Sequence, residues 1–277
     1  NPCCAFCKSS SDFVVKHGKE RNGAQRFKCN ACKRTFNDRT GTAFAGLKTR
    51  PREVARTLAA LDEGMGVLGL ERVFGHAEAT VKRWLVNAAR HVLQVMERLM
   101  RGVDAKFIQL DELRTYFAKK EQEVWVWKSM DCVSKLWLAV HVSLARSVEE
   151  CKAFLKKTTR VIAQAPLGAS TDGLQEYGSL LPKRWRKTAY AQVVKHYEGR
   201  KLVSVERRQV SKHTVAEVEQ LLVELELGRT LNTSFVERLN ATTRAGPARF
   251  HRRTLHYSKQ PECVTAAILL RQAAYNF

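Results

Sequence analysis

The second half of the chain is constrained most by the order of its short apolar runs. Three runs of strand length come first, at residues 107–110, 124–127 and 136–142. The polar break around Asp131 is typical of a tight turn between antiparallel strands. These runs predict three neighbouring strands at the start of a sheet.

Helical and strand segments then alternate along the rest of the chain. Apolar side chains recur at helical spacing over residues 147–162, a short strand reaches Thr171, and residues 202–205 offer a fifth strand. Helices are predicted around residues 234–244 and 262–274. Three strands, a helix, a strand and further helix are the element order of an RNase H-like α/β domain, with a mixed sheet flanked by helices.

Three acidic residues occupy informative places in this order. Asp111 directly follows the first apolar run, Asp172 follows the small-residue stretch 168–171, and Glu237 lies in a segment with helical spacing. If the first and fourth strands pair side by side, Asp111 and Asp172 become neighbours, and the helix brings Glu237 to them. Carboxylates grouped in this way hold hard divalent cations beside a phosphate.

Glu237 has companions on its helix and competitors nearby. Asn240 and Arg244 follow it by three and seven residues and share its face. Glu112 competes with Asp111, but alternation along a strand is expected to send it to the other side. Other acidic alternatives to Glu237, which lack such companions, are Glu217, Glu219, Glu224 and Glu226.

The charge of the chain indicates a polyanionic partner. Its 48 Lys and Arg residues outnumber 27 Asp and Glu residues, for a net charge of +21. The basic residues cluster in three separated segments, 1–60, 183–213 and 229–277, as expected of an extended nucleic-acid track. The chain contains no run of about 18 apolar residues, so no membrane span is predicted.

Paired cysteines organise the first 46 residues. Cys4 and Cys7 form one C-x2-C pair, and Cys29 and Cys32 form a second pair, with 21 residues between the two pairs. Two such pairs complete a tetrahedral zinc site, which would staple a β-ribbon too small for a core of its own. Arg26 and Lys28 are candidates for contacts with DNA phosphates. Cys3 is a weaker candidate ligand because its spacing to Cys7 breaks the motif. The pattern favours structural zinc in a reducing compartment over disulfides.

Residues 47–103 have the layout of a helix-turn-helix. Pro51 opens a first helix, a short second helix stops at Gly75, and a third begins near Glu78. The third helix is expected to enter a DNA groove. Its side chains that point away from the apolar face, and could reach phosphates or bases, are Thr80, Lys82 and Arg83. A plain three-helix packing unit is the alternative.

The cysteine pairs, the helix-turn-helix and the strings LDEL, STDGLQEY and TSFVERLN together resemble the transposases of the insertion-sequence one (IS-one) family. That family belongs to the DDE group. The resemblance implies a metal-binding triad of Asp111, Asp172 and Glu237, supported by Asn240 and Arg244. It also implies two Mg²⁺ (or Mn²⁺) ions per active site, and DNA partners that comprise terminal inverted repeats and target DNA. Because two ends must be joined, we expect a homo-oligomer of at least two copies.

The full expectation is therefore a multidomain α/β protein. A zinc ribbon spans residues 1–46, a helix-turn-helix spans residues 47–103, and an RNase H-like catalytic domain spans residues 104–277. The reaction expected is cleavage that exposes a 3′-OH, followed by its transfer to target DNA. Two other functions share these features. A transposase-derived DNA-binding regulator needs no acids, and a structure-specific nuclease cuts without joining.

Overall fold

The computed structural model describes residues 1–21 and 23–277. Its strands are β1 (Val14–Lys19), β2 (Gln25–Cys29), β3 (Thr35–Asn37), β4 (Phe107–Phe117), β5 (Lys119–Asp131), β6 (Trp137–Ser143), β7 (Gly168–Asp172), β8 (Ala189–Glu198) and β9 (Lys201–Gln209). Its α-helices are α1 (Pro51–Asp62), α2 (Val67–Phe74), α3 (Glu78–Leu99), α4 (Val148–Val161), α5 (Gln175–Arg184), α6 (Val215–Glu224), α7 (Ser234–Ala245) and α8 (Pro261–Asn276). Among these described residues, no helix has both the length and the apolar character needed to cross a membrane.

The amino-terminal strands form a small antiparallel sheet in the order β1-β2-β3. Its apolar interior consists of little more than Val14 and Phe36, with Phe27 stacked on Phe36 at 5.6 Å between ring centroids. Cys4 and Cys29 are buried in the same cluster. So small an interior cannot hold a fold by itself, so the cysteines must supply much of its cohesion.

Helices α1 to α3 pack together and also pack on the larger domain. Pro51 starts α1, and α2 ends at Gly75, whose φ of 71° places it in the left-handed region that glycine adopts freely. Val81, Trp84 and Leu85 of α3 are buried. Trp84 and Leu85 share one apolar cluster with residues of β4, β5, β6 and α8. The helical unit and the sheet therefore share a continuous core.

The larger domain is a six-stranded mixed sheet in the order β6-β5-β4-β7-β8-β9. Strands β4, β7 and β8 run parallel to one another, and the remaining neighbours are antiparallel. Helices α4 and α5 cover one face, and α6, α7 and α8 cover the other. The predicted mixed sheet flanked by helices is confirmed.

The sheet differs from the prediction in two respects. Strand β4 continues to Phe117, so Asp111 lies within a strand and not at its end; the long hairpin with β5 extends it. The fifth strand of the chain's larger sheet is β8, and the segment 202–205 belongs to β9, the sixth. Strand β8 is buried on both faces from Ala189 to Val193, so it lacks the alternation that reveals a half-exposed strand.

Candidate active site

The pairing of β4 with β7 brings two acidic residues together. The strands run parallel with Leu110 opposite Thr171, so Asp111 and Asp172 come next on each strand. Oxygens of Asp111, Glu112 and Asp172 lie within 4.8 Å of one another. The expected neighbourhood of Asp111 and Asp172 is thus present. It is centred on the place where β7 ends beside a continuing β4.

Glu112 also reaches this cluster, contrary to the expectation that alternation would remove it. Its side chain starts on the opposite face of β4, where Tyr177 donates a hydrogen bond to it at 3.3 Å. The side chain is 2% exposed and is paired with Arg146. Because the β7 pairing stops at Leu110, the edge of β4 is open at this point, and a long glutamate chain can reach around it.

Glu237 lines the same cleft from helix α7, which lies on the face of the sheet opposite to the one where the Glu112 side chain starts. The cleft has a volume of about 920 Å³ and is lined by Asp111, Asp172 and Glu237 among others. Glu237 is paired with Lys195 of β8 and accepts a hydrogen bond from Thr233. The structure therefore brings all three predicted acids to one cleft, and Glu112 with them.

The two predicted companions of Glu237 also lie in this cleft. Asn240 Nδ2 donates a hydrogen bond of 2.6 Å to Asp111 Oδ2. Its buried Oδ1 has no hydrogen-bond partner within the described part of the chain, so it can accept a hydrogen bond from a ligand in the cleft. Arg244 donates to the backbone carbonyls of Arg114 and Phe250, each at 3.3 Å, which fixes its guanidinium at the rim.

Helix α7 is anchored to the sheet by two buried polar side chains. Gln109, two residues before Asp111, donates to the Asn232 carbonyl at 2.7 Å and accepts from the Val236 N–H at 3.0 Å. Lys128 lies opposite Asp111 on β5, is fully buried, and donates to Thr243 Oγ1 at 2.7 Å. The sequence analysis did not single out either residue. A polar side chain inside an apolar run, as in FIQL and WVWKS, is the signal for both.

Burial and mutual repulsion disfavour charge on these acids. The pKa of Asp111 is raised to about 7, first by burial and then by the charge of Asp172. The pKa of Glu112 is raised to about 8, by burial and again by Asp172. Burial also raises the pKa of Asp172 and lowers that of Lys128 well below its usual range. Crowded oxygen ligands of this kind are stabilised by divalent cations, so the donor set fits Mg²⁺ or Mn²⁺.

The raised pKa of Asp111 predicts how stability depends on pH without metal. Unfolded, the carboxyl ionises near pH 4; folded, it keeps its proton until about pH 7. The folded state thus binds more protons, and its stability falls as the pH rises between these values. The free energy of unfolding of Asp111→Asn, relative to that of the parent, should therefore be about 3 kcal/mol more favourable to folding at pH 8 than at pH 5. Urea unfolding in EDTA measures this, and an equal difference at both pH values would refute the assigned burial.

The four predicted zinc ligands converge at the end of the amino-terminal sheet. The sulfurs of Cys4, Cys7, Cys29 and Cys32 all lie within 4.8 Å of one another. Cys4 Sγ is 3.6 Å from Cys32 Sγ, and Cys7 Sγ is 3.7 Å from Cys29 Sγ. Four thiolates at about 2.3 Å from one zinc ion would be separated by such distances. Cys3 is exposed and lies outside the cluster.

The predicted DNA-contact residues lie in different environments. Arg83 is exposed on α3, whereas Thr80 and Lys82 are half-buried. Lys82 pairs with Glu78 and lines a cavity together with Tyr257 and Lys259. Arg26 and Lys28 project from one face of β2 and are half-exposed. The DNA-contact roles of all five residues stay predictions.

The acidic cleft, together with a match to a DDE domain, supports an enzyme that cleaves and transfers DNA strands with metal ions. Residues 105–215 match the family model for the DDE domain of IS240 transposases. The matched range contains Asp111 and Asp172 and ends before Glu237. Among solved structures, the chain is similar to one described as a cryo-EM structure of a piggyBac transposase synaptic complex with hairpin DNA. That likeness has a TM-score of 0.47 and 10% identity, and covers 86% of this chain and 66% of the other.

Proposed function

We propose that this chain is an insertion-sequence transposase that cleaves the ends of its element and joins the freed 3′-OH to target DNA. The observation that carries the proposal is the meeting of Asp111, Asp172 and Glu237 around one cleft in a DDE domain. The strings LDEL, STDGLQEY and TSFVERLN favour a member of the IS-one type.

Asp111, Asp172 and Glu237 would hold the metal ions, two per site. When bound, Mg²⁺ supplies an activated nucleophile and neutralises charge on the leaving oxygen. The remaining groups of the cleft position this set. Asn240 orients the Asp111 carboxylate, and Lys195 holds Glu237 toward the cleft.

Cations at the rim of the cleft would receive the DNA backbone. Arg244 and Arg252 line the cleft on the α7 side, and Arg146 lines it beside Asp172. Arginine forks suit the two oxygens of a phosphate, so these residues can hold the strand near the acids. The zinc ribbon and the helix-turn-helix would recognise the terminal inverted repeats. At least two copies would assemble on a pair of ends.

A matched pair of variants decides which glutamate completes the metal site. We expect Glu237→Gln to raise the Mg²⁺ concentration needed for half-maximal cleavage and to slow cleavage by about 10²-fold or more, since a metal site contributes several kcal/mol. Glu112→Gln should leave the Mg²⁺ requirement nearly unchanged, because a neutral amide replaces a buried carboxyl whose pKa is already raised to about 8. The opposite pattern would make Glu112 the third ligand.

Supplying pre-cleaved end DNA, Mg²⁺ and a supercoiled target plasmid tests the whole proposal. A transposase gives plasmid products covalently joined to the end DNA. A structure-specific nuclease would nick or cut without joining, and a DNA-binding regulator would bind the ends and leave both DNAs intact. Either of those outcomes would overturn the assignment.

A further inference from the structure

Strands β8 and β9 continue beyond the end of β7, as β4 and β5 do on its other side. Strand β7 pairs with β8 as far as Asp172 opposite Val193, whereas β8 and β9 stay paired on to Glu198 and Lys201. We call residues 194–206, the part beyond β7, the hairpin tip. At about 3.3 Å per residue, its five-residue arm on β8 extends about 17 Å past the point where β7 ends.

The hairpin tip exposes apolar, basic and acidic side chains; of its two acids, Glu206 is paired with His196 and Arg208, and Glu198 lies next to the basic turn. Tyr197, Leu202 and Val203 are 58%, 45% and 52% exposed, and Arg200 and Lys201 are exposed at the turn. Val205 still packs on the core at the base of the tip, but a two-stranded ribbon beyond it is marginal in water, and clustered exposed apolar groups generally mark a contact surface. The composition of the tip therefore indicates a partner that is apolar in part and negatively charged.

The hairpin tip begins at the acidic cleft. Lys195 and Tyr197 both line the cleft, and Lys195 is paired with Glu237. A strand of DNA bound at the acids would therefore leave the cleft alongside the tip. The position of the hairpin tip beside the cleft and its basic turn therefore both indicate DNA as its partner.

We propose that the hairpin tip contacts duplex DNA next to the cleavage site and lies in its major groove. This inference rests on the function proposed above. The major groove, about 12 Å wide, admits a two-stranded β-ribbon. Arg200 and Lys201 would meet phosphates, while Tyr197 and Leu202 would meet sugars and thymine methyl groups.

A second copy of the chain is the other occupant to consider, since β9 is an edge strand. Its exposed residues include Lys201, Arg207 and Arg208. Charged side chains on an edge strand oppose pairing with another strand. The same charges favour a phosphate backbone, so the surface suits DNA better than a second β9.

The test compares charge removal at the two ends of β8. The tip variant carries Arg200→Ala and Lys201→Ala; the matched control carries Arg186→Ala and Lys187→Ala, which are exposed before β8 begins. Affinity for an end duplex is measured against salt concentration for the full chain. Each phosphate contact contributes about 0.9 to the slope of log affinity against log salt, so the tip variant should lose about 1 to 2 and the control should lose none. Tyr197→Ser should leave the slope unchanged and remove hydroxyl-radical protection beside the cleavage site.

If the salt-dependence slope falls equally in the tip variant and in the control, the proposal is overturned. Such a result would mean that any loss of positive charge weakens DNA binding, wherever the charge lies. An unchanged slope with a change of oligomeric state in sedimentation would assign the tip to a second copy instead. If the parent protects DNA through the tip but joins no strands with Mg²⁺, the proposed reaction fails and the hairpin contact stands. If the parent joins strands and the tip variant binds and protects DNA like the parent, only the hairpin proposal fails.

Discussion

Asp111→Asn should reduce strand cleavage by at least about 10³-fold, equivalent to about 4 kcal/mol of barrier, while binding to end DNA stays within about twofold. The substitution removes the charge from the centre of the acidic group. It keeps the side-chain volume and leaves an oxygen that Asn240 can still bond. Single-turnover cleavage of labelled end DNA in Mg²⁺ measures the first effect, and a gel-shift titration measures the second.

A matched control for this variant is Glu226→Gln. Glu226 was an acidic alternative in the sequence, but it follows α6 and is not among the residues that line the cleft. We expect it to cleave at the parent rate. Cleavage retained by Asp111→Asn, or lost equally in Glu226→Gln, would refute the assignment of the metal site.

Cys29→Ser should unfold the amino-terminal sheet and abolish preferential binding to end DNA over random DNA. Cys29 is buried in the small cluster that joins the two cysteine pairs, and Cys7 Sγ lies 3.7 Å from its sulfur. Removing one of four thiolates should weaken zinc affinity by more than about 100-fold, since even outer-sphere changes cost 10- to 100-fold. Zinc released on thiol modification and paired gel shifts measure the two effects.

Cys3→Ser is the matched control, because Cys3 is exposed and outside the sulfur cluster. It should keep both the zinc and the preference for end DNA. The six-stranded sheet has its own apolar clusters, so Cys29→Ser should still show cooperative unfolding of that domain. Unchanged zinc content in Cys29→Ser would contradict a four-cysteine site.

Local sequence patterns predicted the elements whose two faces differ. A single sequence shows the helical spacing of apolar residues in the half-exposed helices around residues 147–162 and 234–244. It also shows the spacing of the cysteine pairs. Strand β8 could not be recognised in this way, because a strand buried on both faces shows no alternation.

The composition of the site depended on long-range geometry. Alternation placed Glu112 correctly on the opposite face of β4, yet its carboxylate joins Asp111 and Asp172, because β7 ends and leaves the strand edge open. The anchoring of α7 by Gln109 and Lys128 arises from contacts over more than a hundred residues of sequence. Only the folded chain defines such contacts.

The most direct test of the metal site is crystallography with Mn²⁺ bound and data collected at the manganese absorption edge. Anomalous density within about 2.2 Å of carboxylate oxygens of both Asp111 and Asp172, with Glu237 turned toward it, is the predicted result. Manganese bound elsewhere, or these carboxylates far apart in a protein that still joins DNA strands, would contradict the account.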